Sequence, residues 1–570
     1  MKWGLLFLWI GIFGCESVAL HAAEIPKREM RAVWLTTNYA LDWPKSKANS
    51  AAGRLKQQRE MIRILDHLAA AHFNVVLFQT RLRGDVLYPS AIEPWSSVLT
   101  GSVSSPGYDP LDFMIKECHK RGMECHAWMV SIPLGATSHV RALGKRSIAN
   151  SRPDMCKQLF GEYYLDPGHP ETAPYILSLV KEVVSKYDID GIHLDYIRYP
   201  DKADNFPDKN TYKKSGSELP LKEWRRENIN RIVYDIYDWV KKTNPRVKIS
   251  SATLGRYISL NEAPTPGWTS FETVYQDPKE WMKQGKHDFI VPMMYAKDNY
   301  FYPYIYNWQS VSNGRPVIPG LAVYQMERRE KDWPLRDITN QIEFTRITSI
   351  GGQGYYRAGN LLQNEKGIWN YLIDQAYTSP ALLPLMNWND SIIPIAPSDL
   401  QITEDNNEWI FTWNRASEEE ESSFATYTLY GLPNADIRCL SANHILRTGI
   451  RDNQIRIAKE LISSETTYFC VTSCDPSYNE SVPSEPTSPY FSKESSNQGI
   501  SFQRISPKGD YKIEIEDLYA HVVIKNNLNQ TLFKHRYSEA LPLGFLPSGS
   551  YRVILMYEDG KTKNFVWNKL

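Results

Sequence analysis

The feature that most narrows the fold is a repeated alternation of short apolar runs and longer stretches of helical periodicity. Residues 31–35, 75–79, 124–129, 192–195, 248–252, 289–294, 317–321 and 352–356 read as strands. Between them, residues 57–72 place Met61, Ile62, Leu65, Leu68 and Ala69 on one helical face. Residues 175–187 do the same with Ile176, Leu179, Val180, Val183 and Val184, and residues 221–242 with Ile229, Ile232, Val233, Ile236 and Val240. Asp109-Pro110 reads as an N-cap and first-turn proline, and Gly122 as the matching stop. Another helix is expected over 335–345. Strands joined by helices must run parallel. Eight such steps in roughly 350 residues predict a (β/α)8 TIM barrel over residues 27–378.

The rest of the chain has a different texture. Residues 379–397 are a proline-bearing packed linker, residues 398–487 alternate as a β-sandwich does, and residues 500–570 form a small C-terminal β domain with a hairpin at Asp559-Gly560. Residues 1–23 read as an export signal: Lys2, then an apolar run from Gly4 to Gly14 too short to span a bilayer. Cys15, in Ile12-Phe13-Gly14-Cys15, is the candidate lipidation site; cleavage after Leu20-His21-Ala22 is the other exit. The protein is expected in the periplasm or on the cell surface, touching membrane only through such a lipid.

Composition removes several function classes. Lys+Arg and Asp+Glu both number 65, which argues against nucleic acid as a partner. Seven cysteines without paired CxxC spacing give no zinc site. No phosphate loop, nucleophile elbow, HExxH or dinucleotide glycine pattern falls where it would matter, so no cofactor and no metal are expected. Aromatic residues make up 12% of the chain, and such rings suit sugar faces as well as cores.

Side-chain alternation then locates a candidate site. Ile192 and Leu194 face the helices, so His193 and Asp195 face inward at the carboxyl end of the fourth strand. Gln79 and Arg81 share a parity on the second strand, as do His126 and Trp128 on the third. Polar groups aimed inward from three neighbouring strands, where a packed barrel would carry Val, Ile and Leu, mark a pocket at the catalytic face of the barrel. Asp195 is the leading catalytic candidate. Asp85, after the turn-forming Gly84, is the second, and Glu93, Glu272 and Asp298 are further carboxylates in loops at that end. Arg198, Tyr199 and Tyr295 join Gln79, Arg81, His126, Trp128 and His193 as candidate substrate-binding residues.

Five segments carry a family resemblance: Arg31-Ala-Val-Trp-Leu35, Phe78-Gln-Thr-Arg-Leu-Arg-Gly-Asp85, His126-Ala-Trp128, Tyr164-Leu-Asp-Pro-Gly-His-Pro170 and Asp190-Gly-Ile-His-Leu-Asp-Tyr-Ile-Arg-Tyr-Pro200. In this order they resemble the glycosyl-hydrolase-like family 10 barrels. Pro397-Ser-Asp-Leu400, Trp413 and Tyr478-Asn-Glu-Ser481 are similar to a fibronectin type III module. The resemblance implies a bacterial exported TIM-barrel enzyme that hydrolyses O-glycosidic bonds, on a polysaccharide or oligosaccharide substrate such as peptidoglycan glycan strands. It puts Asp195 in the acidic position of strand four, with Gln79, Arg81, Asp85, His126 and Trp128 around it. The alternative reading is a catalytically idle glycan-binding lipoprotein.

Overall fold

The computed structural model describes residues 25–415, 426–438, 440–489, 493–495, 501–515, 519–526, 528–547 and 549–569. Residues 1–23, where an export signal is expected, with Cys15, and Cys439 lie outside them.

Eight parallel strands form one sheet: β1 Met30–Leu35, β2 Val75–Arg81, β3 Glu124–Val130, β4 Gly191–Asp195, β5 Lys248–Leu254, β6 Phe289–Met293, β7 Gly320–Leu321 and β8 Gly352–Tyr355. The order β7-β8-β1-β2-β3-β4-β5-β6 is joined end to end by Ile290 and Val317, with Ile318 N donating to Ile290 O at 2.8 Å. This is a TIM barrel. The seventh strand is shorter than its apolar run because Pro316 and Pro319 bring no N–H to the ladder.

The helices form where the periodicity places them. α1 (Ala51–Ala70) starts on Ser50, whose hydroxyl accepts from Gly53 N, and α2 (Pro110–Lys120) starts on the Asp109 carboxylate. α3 (Thr172–Lys186) and α4 (Leu221–Thr243) bury their apolar stripes against the outside of the sheet. Ile192 and Leu194 sit in that outer layer.

The barrel interior is filled from one side by Trp34. Glycines on β7 and β8 make room for it: a Cβ on Gly320 or Gly354 would lie 3.0 or 3.1 Å from its indole. Gly191 does the same for His126, where a Cβ would come within 2.3 Å of Nδ1.

Beyond the barrel, two three-stranded antiparallel sheets face each other: Ser398–Asp405, Glu408–Asn414 and Gln454–Ala458 against Ile445–Ile450, Thr426–Leu432 and Tyr468–Cys474. Their shared core holds Trp409, Phe411, Trp413, Leu429 and Phe469. Cys470 and Cys474 are free thiols. This sandwich closes the amino-terminal end of the barrel. Tyr478 reaches the barrel's inner core and donates to Glu124 Oε1 at 2.6 Å, and Arg451 pairs with Asp188 at 2.8 Å and with Asp190. Two four-stranded sheets make up the last domain, in which Gly549–Met556 and Thr562–Lys569 form the predicted hairpin and Phe502 stacks on Trp567 at 4.5 Å.

Candidate functional site

Asp195 ends β4, and the chain turns sharply after it. Tyr196 has φ 47°, a left-handed conformation that a tyrosine adopts only under constraint. That turn brings Tyr196 N back to donate to Asp195 Oδ1 at 2.7 Å, while Trp128 Nε1 donates to Oδ2 at 2.9 Å. The carboxyl group is therefore fixed in plane from both sides. It is 4% exposed and has no ion pair among the described residues. Burial pushes its pKa up to about 6, against the opposing pull of Trp128, the Tyr196 N–H and the more distant Arg198.

Asp195 opens into a cleft of about 370 Å³ at the carboxyl ends of the strands. Trp128, Tyr295 and Tyr356, with the thioether of Met293, form a largely aromatic wall, in which Tyr295 and Tyr356 have ring centres 5.8 Å apart. Gln79 lines the opposite approach. Its carbonyl oxygen accepts from Thr36 Oγ1 and from the amides of Thr37 and Asn38 at 2.9–3.0 Å, which leaves its amide group as the end available to the cleft. A small antiparallel sheet grown from the β3–α3 connection, Pro133–Ala136 with Cys156–Leu159 and Glu162–Leu165, brings Pro133, Glu162 and Tyr164 to the same mouth. Arg198 and Asp201 complete the rim, paired to each other at 2.9 Å, with the Arg198 guanidinium 4.5 Å from the centre of the Tyr196 ring.

Five expected site residues lie elsewhere. Arg81 is turned away by a register irregularity between Gln79 and Arg81 in the β2–β3 ladder. It makes two bonds to Glu93, 2.8 and 2.7 Å, and holds the loop after β3 through Ser131 O. Asp85 is buried in its own loop, near Arg83 N and His139, and does not line the cleft. His126 faces inward as predicted but too low. It sits level with Gly191, at the amino-terminal end, bonded to Glu124 at 2.8 Å. His193 lies between floor and mouth, with Nε2 accepting from Trp34 Nε1 at 3.1 Å and Nδ1 facing Ser250 Oγ at 2.9 Å. Burial, with His126 and His287 nearby, holds its imidazole neutral, so Nδ1 donates to Ser250. Tyr199 is packed under the rim against Phe206, Tyr275 and Arg225. Of the other carboxylates, Glu93 is consumed by Arg81, and Glu272 and Asp298 do not line the cleft.

The sequence reading missed Glu162, Tyr164 and Tyr356, and also Arg83, which lines the cleft although its neighbour Asp85 does not. The signal for the first two was Phe160-Gly161. Both residues take positive φ, 52° and 83°, and a pair of this kind joins two short strands into a hairpin.

A parallel barrel with a buried carboxyl group at the carboxyl ends of its strands, beside rings able to lie against sugar faces, is an arrangement that suits the glycoside hydrolases. The comparisons narrow this class. The model of the family described as glycosyl hydrolase-like 10 matches residues 29–325, and the chain belongs to that family. It is 32% identical over 507 residues to the glycosyl hydrolase YngK of Bacillus subtilis, covering 85% of this chain and 98% of that protein. It is 34% identical over 286 residues to the glycosyl hydrolase DigH of Escherichia coli K12, covering 47% of this chain and 65% of that protein. Among solved structures, the PgaB glycoside hydrolase domain from Bordetella bronchiseptica aligns with a TM-score of 0.42 at 15% identity, covering 60% of this chain and 98% of that domain.

Proposed function

We propose that this protein is an exported hydrolase of O-glycosidic bonds in bacterial or environmental glycan chains, peptidoglycan glycan strands among them, with Asp195 as the proton donor. The observation that carries the reading is the Asp195 carboxyl itself, oriented by two N–H donors at the cleft and buried, which pushes its pKa up to about 6. A group with that pKa is protonated below about pH 6, about two units above an ordinary aspartate, so it carries a donatable proton under mildly acidic conditions, which is what a departing sugar oxygen needs. Each carboxyl oxygen keeps a second lone pair beyond the one its N–H donor occupies, so the group is fixed without being blocked.

Glycosidic cleavage also needs a second carboxylate, as nucleophile or base. Asp201 shares the cleft but is tied to Arg198. Glu162 lines the same mouth and has no ion pair among the described residues, so it takes this role in the mechanism. Trp128, Tyr295 and Tyr356 would receive sugar faces, and the Gln79 amide a sugar hydroxyl.

Release of reducing ends from purified glycan strands tests the reading. Asp195→Asn is expected to lower turnover at least about a hundredfold, with the circular dichroism spectrum unchanged. Glu162→Gln is expected to fall by a similar factor. Near-normal turnover in the Asp195 variant, or binding of strands by the parent without any product by mass spectrometry, would overturn it.

A further inference from the structure

The C-terminal domain carries a second cleft, of about 870 Å³, far along the chain from the barrel residues. Three tyrosines surround it. Tyr537 N donates to Ala520 O, Ala520 N to Met556 O and Tyr557 N to Lys561 O, all at 2.8–3.0 Å, so the backbone fixes where the rings stand. Tyr537 is 44% exposed and meets Tyr519, 3% exposed, edge to face at 5.3 Å. Tyr519 and Tyr557 line the cleft, and their hydroxyls are buried with no hydrogen-bond partner among the described residues. Buried hydroxyls without partners are uncommon, and a ligand hydroxyl entering the cleft would supply what both lack.

The charges at the rim choose among ligands. Lys561 is paired with Asp559 at 2.7 Å, and Lys563 stands 5.3 Å over the Tyr557 ring. Arg536 is exposed on the same rim. Three cations therefore face two carboxylates, Glu558 and Asp559.

We propose that this cleft is a second glycan-binding site, distinct from the barrel mouth, for a sugar that bears a carboxylate. The sugar ring lies against Tyr537, its hydroxyls bond to Tyr519 and Tyr557, and its carboxylate meets Arg536. The site would hold the polymer near the barrel without taking part in its cleavage.

The test uses the full chain carrying Asp195→Asn, so that binding is read without turnover. The probes are two immobilised polymers: peptidoglycan glycan strands stripped of peptides, which expose lactyl carboxylates, and neutral chitin. The parent is expected to bind the stripped strands about tenfold more tightly than chitin. Tyr537→Ala and Arg536→Gln are each expected to weaken binding to the strands about tenfold. Tyr519→Phe removes only the unpartnered hydroxyl, so it should weaken binding several-fold without lowering the thermal midpoint. Unchanged affinity in the Tyr537 and Arg536 variants, or equal affinity of the parent for both polymers, overturns the proposal. In the Asp195 background intact, the same two substitutions should leave turnover of short soluble glycans unchanged. Loss of binding with no turnover in any form would remove the hydrolase reading and leave this site standing.

Discussion

The two ends of the barrel are made from the same eight strands, yet the buried carboxyl groups of Asp190 at one and Asp195 at the other are held in opposite ways. At the amino-terminal end, Asp190 is met by His119, Arg451 and the Cys125 N–H. Burial works against its charge, but these partners win and hold it well below the usual carboxylate range. Glu124 there is bonded by His126 and Tyr478, and Asp288 by Lys241 and Asn389. Several of these partners come from outside the barrel, so the end is sealed by the sandwich and the segment before it. At the carboxyl-terminal end, Asp195 has N–H donors and no ion pair among the described residues, and its pKa is pushed up to about 6. A carboxylate kept charged by counter-ions holds structure together. One left to titrate by burial is suited to moving a proton.

The largest effect expected from this contrast is at the sealed end. Tyr478→Ala removes a ring buried in the barrel's inner core, 4.4 Å from Lys248 Nζ, together with its bond to Glu124. The loss should be about 3–5 kcal/mol of stability, measured by denaturant unfolding. Turnover per folded molecule should stay within about twofold of the parent, since the change lies at the end opposite the cleft. A large drop in turnover at constant folded fraction would show that the floor and the mouth do not act separately.

The next effect is at the open end and has the opposite sign. Burial pushes the Asp195 pKa up to about 6 in the folded protein, against an ordinary aspartate value of 3.8. The native state thus takes up a proton between those values. That contribution is fully present below about pH 4 and is lost as pH rises through 6, leaving a penalty of about 2–3 kcal/mol at pH 8. Asn carries no such penalty. Asp195→Asn should therefore be more stable than the parent by up to that amount at pH 8, with the difference vanishing near pH 4. Thermal midpoints at the two pH values check it. A pH-independent difference would mean that Asp195 is not held in the raised state.

Much of the barrel was legible in the sequence, because apolar period and turn chemistry act locally. The stripe of α3, the Asp109 cap and the short β4 all form for reasons visible within a few residues. Inward direction was legible too: Asp195, Trp128, Gln79 and His126 all face the barrel interior. Height along the barrel axis was not, because alternation carries no information about strand stagger. That is why His126 was grouped with the mouth although its register places it beside Gly191. Nor was the bulge after Gln79, which hands Arg81 to Glu93. Glu162 was lost for a third reason. It arrives on an insertion between barrel elements, and its hairpin signal at Phe160-Gly161 lies outside the strand-helix rhythm.

The smallest effect is the sharpest test of the contrast, because it asks whether one hydrogen bond tunes the acid. Trp128 Nε1 donates to Asp195 Oδ2 and so favours the charged form. Trp128→Phe keeps an aromatic ring in the wall and deletes the donor. The pKa of Asp195 should then rise further, by up to about one unit, roughly 1 kcal/mol of differential interaction. A proton donor works only while protonated, so the alkaline limb of the kcat/KM profile should move to higher pH by the same amount. His126→Gln is the matched change at the floor, where the imidazole contacts Glu124 rather than Asp195. It should leave that limb in place even if it lowers stability. A limb that moves equally in both variants would mean that the field of the whole interior, not the N–H donor at the mouth, sets the acidity of Asp195.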